Sequence, residues 1–255
     1  MKILEFKIKG KFAHYRKIYT NSSSLTYGIP PKTTLVGMIA AILGLERDSY
    51  YETFDEDNVT IAIKKLNSTR KIIQTVNYFK DTSMNEIISP KQHTQIPFEI
   101  LVGENGENIE YAVYLSLKDN SLFNEVTRRI KQKDFYYLPY LGAAPFNCDI
   151  EYIGIYEGEL KHFEDFIQVR TVVNLNQIKE FKLDNFEGKL SRERMPSQFS
   201  NERILKDVKT YIYEDEGKPI ELILYGEAIQ LQTGEIITLM WGARWNFIHI
   251  QTGYW

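Results

Sequence analysis

The sequence predicts an α+β fold: a ferredoxin-like βαββαβ domain with an inserted β-hairpin thumb, followed by a strand-rich C-terminal region. Three observations predict it. Four segments in the first two thirds of the chain alternate apolar and polar residues, the period of a strand with one buried face. Two segments between them read as helices, one apolar almost all round and one striped. The stretch 70–105 separates the second and third strands with two β-prone pieces around a polar middle. An insertion of that length is more often functional than idle.

Leu4, Phe6 and Ile8 alternate with Glu5, Lys7 and Lys9 and form the first strand. Residues 10–29 are polar, aromatic and glycine-tipped, a loop. Pro30-Pro31 then begins a helix, because a proline in the first turn forfeits an N–H that has no partner there. From Thr33 to Leu43 the chain is almost uniformly apolar, so this helix is expected to be buried on most sides. Gly44 is placed to end it in the left-handed conformation. Val59, Ile61 and Ile63 mark the second strand. Ile72–Phe79 and Gln95–Val102 flank the polar Lys80–Thr94 in the thumb, and Ile109 to Leu117 marks the third strand. Asn120 is the expected cap of a second helix striped by Leu122, Phe123, Val126 and Ile130.

Ile150–Tyr156 is the fourth strand, which completes the split βαβ pattern. Further strands are read at Phe166–Val173, Val208–Tyr213, Ile220–Tyr225, Ala228–Leu231 and Glu235–Met240, with Pro196 and the charged Lys189–Arg203 as an interruption. The expected division is 1–160, the ferredoxin-like domain with its thumb at about 70–105, and 161–255, the β-rich C-terminal region.

Hydrophobic residues make up 43% of the 255 and charged residues 25%, a globular rather than a disordered composition. The longest apolar run, Leu35–Leu45, contains two glycines and falls short of the roughly 18 residues of a membrane helix. Met1-Lys2-Ile3-Leu4-Glu5 lacks the apolar stretch of a signal peptide, and Cys148 is the single cysteine. The expected location is therefore a reducing cytoplasm, with no membrane partner. The formal net charge of -3 argues against a generic nucleic-acid binder, but the distribution is uneven. Residues 1–45 hold seven Lys/Arg against one acid, and residues 206–255 hold four bases against seven acids. A phosphate-facing front with an acidic back fits this pattern, and so does scattered solvated charge.

Several chemistries find no support. Gly28-Ile29-Pro30-Pro31-Lys32-Thr33-Thr34 lacks the G-x-x-x-x-G-K spacing of a phosphate loop, and its prolines remove N–H donors. Lys32 and Thr33 at a helix N-terminus are still placed to hold one backbone phosphate. His14, His93, His162 and His249 show no metal-ligand spacing with one another or with Cys148, so neither a metal nor a cofactor is expected. Asp55-Glu56-Asp57 and Glu214-Asp215-Glu216 read as turn acids.

Basic and aromatic residues interleave at Phe12–Tyr19, leading to Tyr27, and again at Arg128, Arg129, Lys131, Lys133, Phe135, Tyr136, Tyr137 and Tyr140. Splayed single-stranded RNA needs such cations for its phosphates and such rings for its bases. In the second cluster a solvated helix face is the plainer reading. The thumb offers Lys80, Lys91, Gln92, His93 and Gln95, as an RNA-contacting arm or as an ordinary polar tip.

The segment Leu25–Gly44, with Tyr27-Gly28-Ile29-Pro30-Pro31-Lys32-Thr33-Thr34-Leu35-Val36-Gly37 at its centre, closely resembles the N-terminal motif of the fifth Cas family. This is the CRISPR-associated RAMP-superfamily subunit of type I Cascade. Gln95–Leu101, Tyr140-Leu141-Gly142 and Arg194-Met195-Pro196 add weaker matches. The resemblance implies a RAMP, or RRM-like, fold with a thumb-like arm, and subtype I-B. It also implies a non-catalytic subunit of antiviral defence that caps Cascade and holds the 5′ handle of the crRNA. Its implied partners are the backbone subunit and the large subunit.

One branch of the family resembles a metal-independent endoribonuclease, using a Tyr on the first helix and a Lys-His pair before the second. Here those places hold Leu43 and Lys118-Asp119-Asn120-Ser121, which argues against cleavage, although His93 keeps it open. The expected RNA-binding residues are Arg16, Lys17, Tyr27, Lys32 and Thr33 on the first loop and helix, and Lys80, Lys91, Gln92, His93 and Gln95 on the arm.

Overall fold

The computed structural model describes residues 1–21, 23–80, 83–89, 92–184 and 186–240, with Glu86 by its backbone alone. Lys91 and His249 lie outside the described residues. The chain begins with β1 (Lys2–Gly10) and β2 (Phe12–Ala13), a two-residue strand inside the expected loop. α1 (Lys32–Leu43) follows, and Gly44 caps it at φ 79°, the left-handed turn that frees its N–H for the last carbonyls. β3 (Val59–Lys65) leads into the arm, which is β4 (Thr69–Phe79), the short α2 (Met84–Ile88) and β5 (His93–Gly103).

β6 (Ile109–Leu117), α3 (Asn120–Gln132) and β7 (Asp149–His162) complete the first half. α3 is capped by Asp119 rather than the expected Asn120: its carboxylate accepts from Ser121 N at 2.7 Å and Leu122 N at 3.1 Å. A carboxylate one residue earlier reaches both free N–H groups and suits the positive end of the helix dipole.

β7, β1, β6 and β3 are neighbours in that order, and every pair is antiparallel. The alternation in β1 works as read: Leu4, Phe6 and Ile8 enter the main core with α1, α3, Tyr111, Val113 and Leu115. Ile3 faces the other way, into a second core with Ala112 and Tyr114. Phe123, Val126 and Ile130 are the buried face of α3.

The remaining strands are β8 (Ile167–Val169), β9 (Val173–Asn174), β10 (Ile178–Lys182), β11 (Leu190–Phe199), β12 (Leu205–Glu214), β13 (Ile220–Leu224), β14 (Glu227–Leu231) and β15 (Ile236–Ile237). The charged stretch around Pro196, expected as an interruption, is strand β11. It lies at the edge of the β11-β12-β9 sheet, where a proline needs no ladder donor on its outer side, and the register shifts just after it. β14 pairs with β7 and β15 with β14, so the last described strands extend the first sheet to six. At the far edge Val172 N donates to Ile63 O at 2.8 Å and Met240 N to Ile61 O at 3.0 Å, which covers β3.

The arm is a hairpin paired in register from Thr69 opposite Gly103 to Phe79 opposite His93. β2 joins its base, Phe12 opposite Val102 and Ala13 opposite Leu101. Most of β4 is exposed.

Gly142 sits where the segment before β7 crosses His14. Its φ is +83°, and a Cβ would lie 2.1 Å from the His14 carbonyl oxygen. Gly142→Ala therefore adds both backbone strain and a backbone clash. It should cost roughly 2–4 kcal/mol, read as a lower urea midpoint at unchanged m-value.

Candidate nucleic-acid interface

The loop between β2 and α1 folds back on itself. Lys17 N donates to Leu25 O, Tyr27 N to Tyr15 O, and Tyr15 N to the Thr26 hydroxyl. The same loop is stitched to the arm base: Ser24 N donates to Pro97 O, Glu99 N to Ser24 O, and Thr26 N to the Glu99 carboxylate. His14 joins the two. Its Nδ1 lies 2.7 Å from the Glu99 carbonyl and its Nε2 lies 2.9 Å from the Ser24 hydroxyl. A carbonyl only accepts, so Nδ1 carries the proton and Nε2 accepts from Ser24. Burial holds the imidazole below its ordinary pKa and so favours this neutral form. The ring also stacks on Phe98 at 3.9 Å. His14 and Ser24 are both more than nine-tenths buried, so the pair works as a tie between loop and arm rather than as an open nucleophile.

The residues expected on the loop separate into two groups. Arg16 is exposed and reaches only the Thr20 carbonyl, at 3.4 Å. Thr33 is partly exposed on the first turn of α1. The other three are turned inward. Lys17 pairs with Glu193 at 2.9 Å and lies over the Tyr27 ring. Burial disfavours its charge, but the Glu193 carboxylate more than offsets this and holds the ammonium above its usual pKa. Tyr27 is 0% exposed; its hydroxyl donates to Arg194 O at 2.9 Å, and burial pushes the phenol up to about 12. It therefore presents no face to a base.

Lys32 is 3% exposed, and its ammonium donates to Phe54 O at 3.0 Å. Burial pushes it down to about 7 against the pull of Glu56. A cation is unfavourable at the positive end of a helix, and the Phe54 carbonyl offers it an inward partner. So of the five residues expected to meet RNA here, Lys17, Tyr27 and Lys32 are engaged inside the protein, and Arg16 and Thr33 are the open ones.

On the arm, Lys80, Gln92, His93 and Gln95 are exposed at the distal end, and Lys80 Nζ donates to Gln92 Oε1 at 2.6 Å. His93 and Gln95 share one face of the hairpin with Phe79 and Asn77. Lys91 lies outside the described residues. Glu99, which holds the loop, is six residues from His93, so the two groups stand about 20 Å apart.

In the second basic cluster three of the four cations are paired with carboxylates, and Lys131 lies over the Tyr152 ring. Arg128 binds Glu125 and Asp134, Arg129 binds Glu125, and Lys133 binds Asp149. The paired guanidinium groups of Arg128 and Arg129 pull Glu125 down to about 2. The tie through His14, Ser24 and Glu99 is not legible from sequence: His14 lies inside the first basic and aromatic cluster, but its strand partner is 85 residues away. Among the described residues no group of three His, Cys, Asp or Glu is placed to hold a metal, and no helix is long and apolar enough to cross a membrane.

Residues 3–154 match the family described as "CRISPR-associated protein (Cas_Cas5)". No curated protein matches the chain. Among solved structures, the chain is similar to a CRISPR protein from Archaeoglobus fulgidus, with TM-score 0.58 and 13% identity over 93% of this chain and 98% of that one. It is also similar to a chain of a "CRISPR RNA-guided surveillance complex", with TM-score 0.50 and 13% identity over 88% and 91%. At these identities the likeness is one of fold.

Lys32 has a measurable signature. The unfolded chain keeps its proton to 10.5 and the folded chain gives it up near 7, so between these values the unfolded state binds more protons and stability rises with pH. Lys32→Met should flatten that rise and raise Tm at pH 7 by a few degrees, about 1–2 kcal/mol, in melts recorded across this window.

Proposed function

Because the chain belongs to the CRISPR-associated protein family (Cas_Cas5), we propose that it is the crRNA-binding subunit that caps a Cascade complex of subtype I-B and holds the 5′ handle of the guide RNA. The family match over residues 3–154 carries this reading, because it spans β1, β3, β6 and the start of β7, the loop before α1 and the whole arm. A neighbour in fold belongs to an RNA-guided surveillance complex, which supports an RNA and further Cas subunits as partners. In this reading β7-β1-β6-β3, with α1 and α3 against one face, is the ferredoxin-like RAMP domain of residues 1–160. The thumb is 70–105, and 161–255 is the β-rich C-terminal region, whose described residues pack onto the first domain.

The proposed contacts follow exposure. Arg16 and Thr33 meet handle phosphate at the loop, and Lys80, Gln92, His93 and Gln95, with Lys91, meet RNA and the backbone subunit from the arm. Lys17, Tyr27 and Lys32 brace the loop from behind. The large subunit docks elsewhere on the cap. Binding is favoured over cutting because Leu43 can neither give nor take a proton, and the Asp119 carboxylate already caps α3 through two backbone N–H groups.

Arg16→Ala together with Lys80→Ala should weaken binding of repeat-handle RNA several-fold. It should also reduce the salt slope of log K by about 0.7 for each phosphate that is no longer neutralised. An unchanged affinity and slope would remove these residues from the site. Repeat RNA incubated with the protein in EDTA should stay intact; a specific cut ending in a 2′,3′-cyclic phosphate would replace the holder by a nuclease.

A further inference from the structure

A groove of about 630 Å³ opens beside the base of the arm, between the end of β1 and the segments that run from α3 into β7. Lys9, Lys11, Phe12, Lys133, Phe135 and Phe146 are among the residues that line it. Two features set it apart from an ordinary surface crease. The first is charge. Lys9 and Lys133 reach the same Asp149 carboxylate, at 3.4 Å and 2.9 Å, so two cations share one lining acid. The Lys11 ammonium touches only the Gly106 carbonyl, at 3.1 Å, and among the described residues it has no acidic partner. Lys9 also pairs with Glu151 at 3.2 Å, so three ammonium groups meet two carboxylates and Lys11 is the surplus cation at the groove.

The second feature is a run of rings. Phe12, 47% exposed, lies 6.1 Å from Phe146; Phe146 lies 6.4 Å from Phe98; and Phe98 stacks on His14 at 3.9 Å. The run leads from the groove to the loop-to-arm tie. Across β2, β5 and β4 the residues Phe12, Val102 and Arg70 fall in one register row and so point to one face. Arg70 is exposed there, about 10 Å beyond Phe12.

An exposed ring, Phe12, backed by Phe146 and bordered by cations, suits a splayed strand of nucleotides: a base stacks on the ring and the phosphates meet the ammonium groups. An apolar ligand would leave the lysines without purpose, and an acidic peptide would leave the ring run without purpose. We propose that this groove is a second single-stranded RNA track, which receives a short stretch of the guide beside the arm base. It rests on the RNA-holding reading and goes beyond it, since none of its lining residues belongs to the loop or to the arm tip.

The test uses the full chain and fluorescently labelled repeat RNA. Phe12→Ala should weaken binding about fivefold or more with an unchanged salt slope, because it removes a stacking surface and no charge. Lys11→Ala should weaken it less but lower the slope by about 0.7. Both side chains are exposed, so thermal melts should match the parent. Ultraviolet crosslinking of the parent should map RNA to peptides containing Phe12 or Phe146. Parental affinity in both variants, with binding still weakened several-fold in the Arg16→Ala, Lys80→Ala double variant, overturns the groove and leaves the handle reading standing. Parental RNA affinity with failed association of another Cas subunit also overturns it, by making the groove a protein-binding surface. No RNA binding by the parent, alone or assembled, overturns both.

Discussion

A twelve-residue helix with no polar face has to be covered all round, and in this chain two layers cover α1. The first is the sheet face of Leu4, Phe6, Ile8, Ile61 and Val113, with α3 alongside; the second is the C-terminal hairpin, which contributes Met195 and Tyr211 to the same core. Covering the helix from both sides buries its entrance as well. Lys32 is sealed in at its first turn, and Tyr27 is closed over just before it. The C-terminal strands are thus part of the same structure as the loop that precedes α1, since without them the oily side of that helix would face water.

The same closure settles the electrostatics. Three of the seven cations of the first 45 residues pair with carboxylates on folding. Lys7 pairs with Glu110, Lys9 with Asp149 and Glu151, and Lys17 with Glu193. Further pairs, Lys64 with Glu235 and Lys65 with Asp215, join β3 to the C-terminal third. The acids of the C-terminal third thus pair with β3, whereas the partners of the front, Glu110, Asp149, Glu151 and Glu193, come from the middle of the chain and from β11. Among the described residues Arg16, Lys11 and Arg70 are exposed cations with no carboxylate partner, and in the proposed role an anionic strand can use them.

In the proposed role the contacts need to be fixed before the RNA arrives, because an ordered site loses less entropy on binding. The hydrogen bonds from Ser24 to His14 and from His14 to Glu99 provide that order at the arm base, where loop and hairpin meet in one network. From there the arm extends outward with its polar end free, and the ring run extends sideways toward the groove.

Sequence alone determined the order of the elements: the alternating strands, the oily helix begun by proline and ended by Gly44, the striped helix and the hairpin arm all follow from spacings of two to four residues. It also marked the loop before α1 and the arm as the places to look. Tertiary structure decided which of those residues face solvent. Lys17 and Glu193 are 176 residues apart, and nothing near either one records the other. Tyr27 is hidden by a strand whose proline made it read as an interruption, and β14 finds β7 only when the sheet assembles. Periodicity is a local property of the backbone, whereas burial and charge pairing are properties of surfaces that meet, so the elements could be read in advance and the exposed site could not.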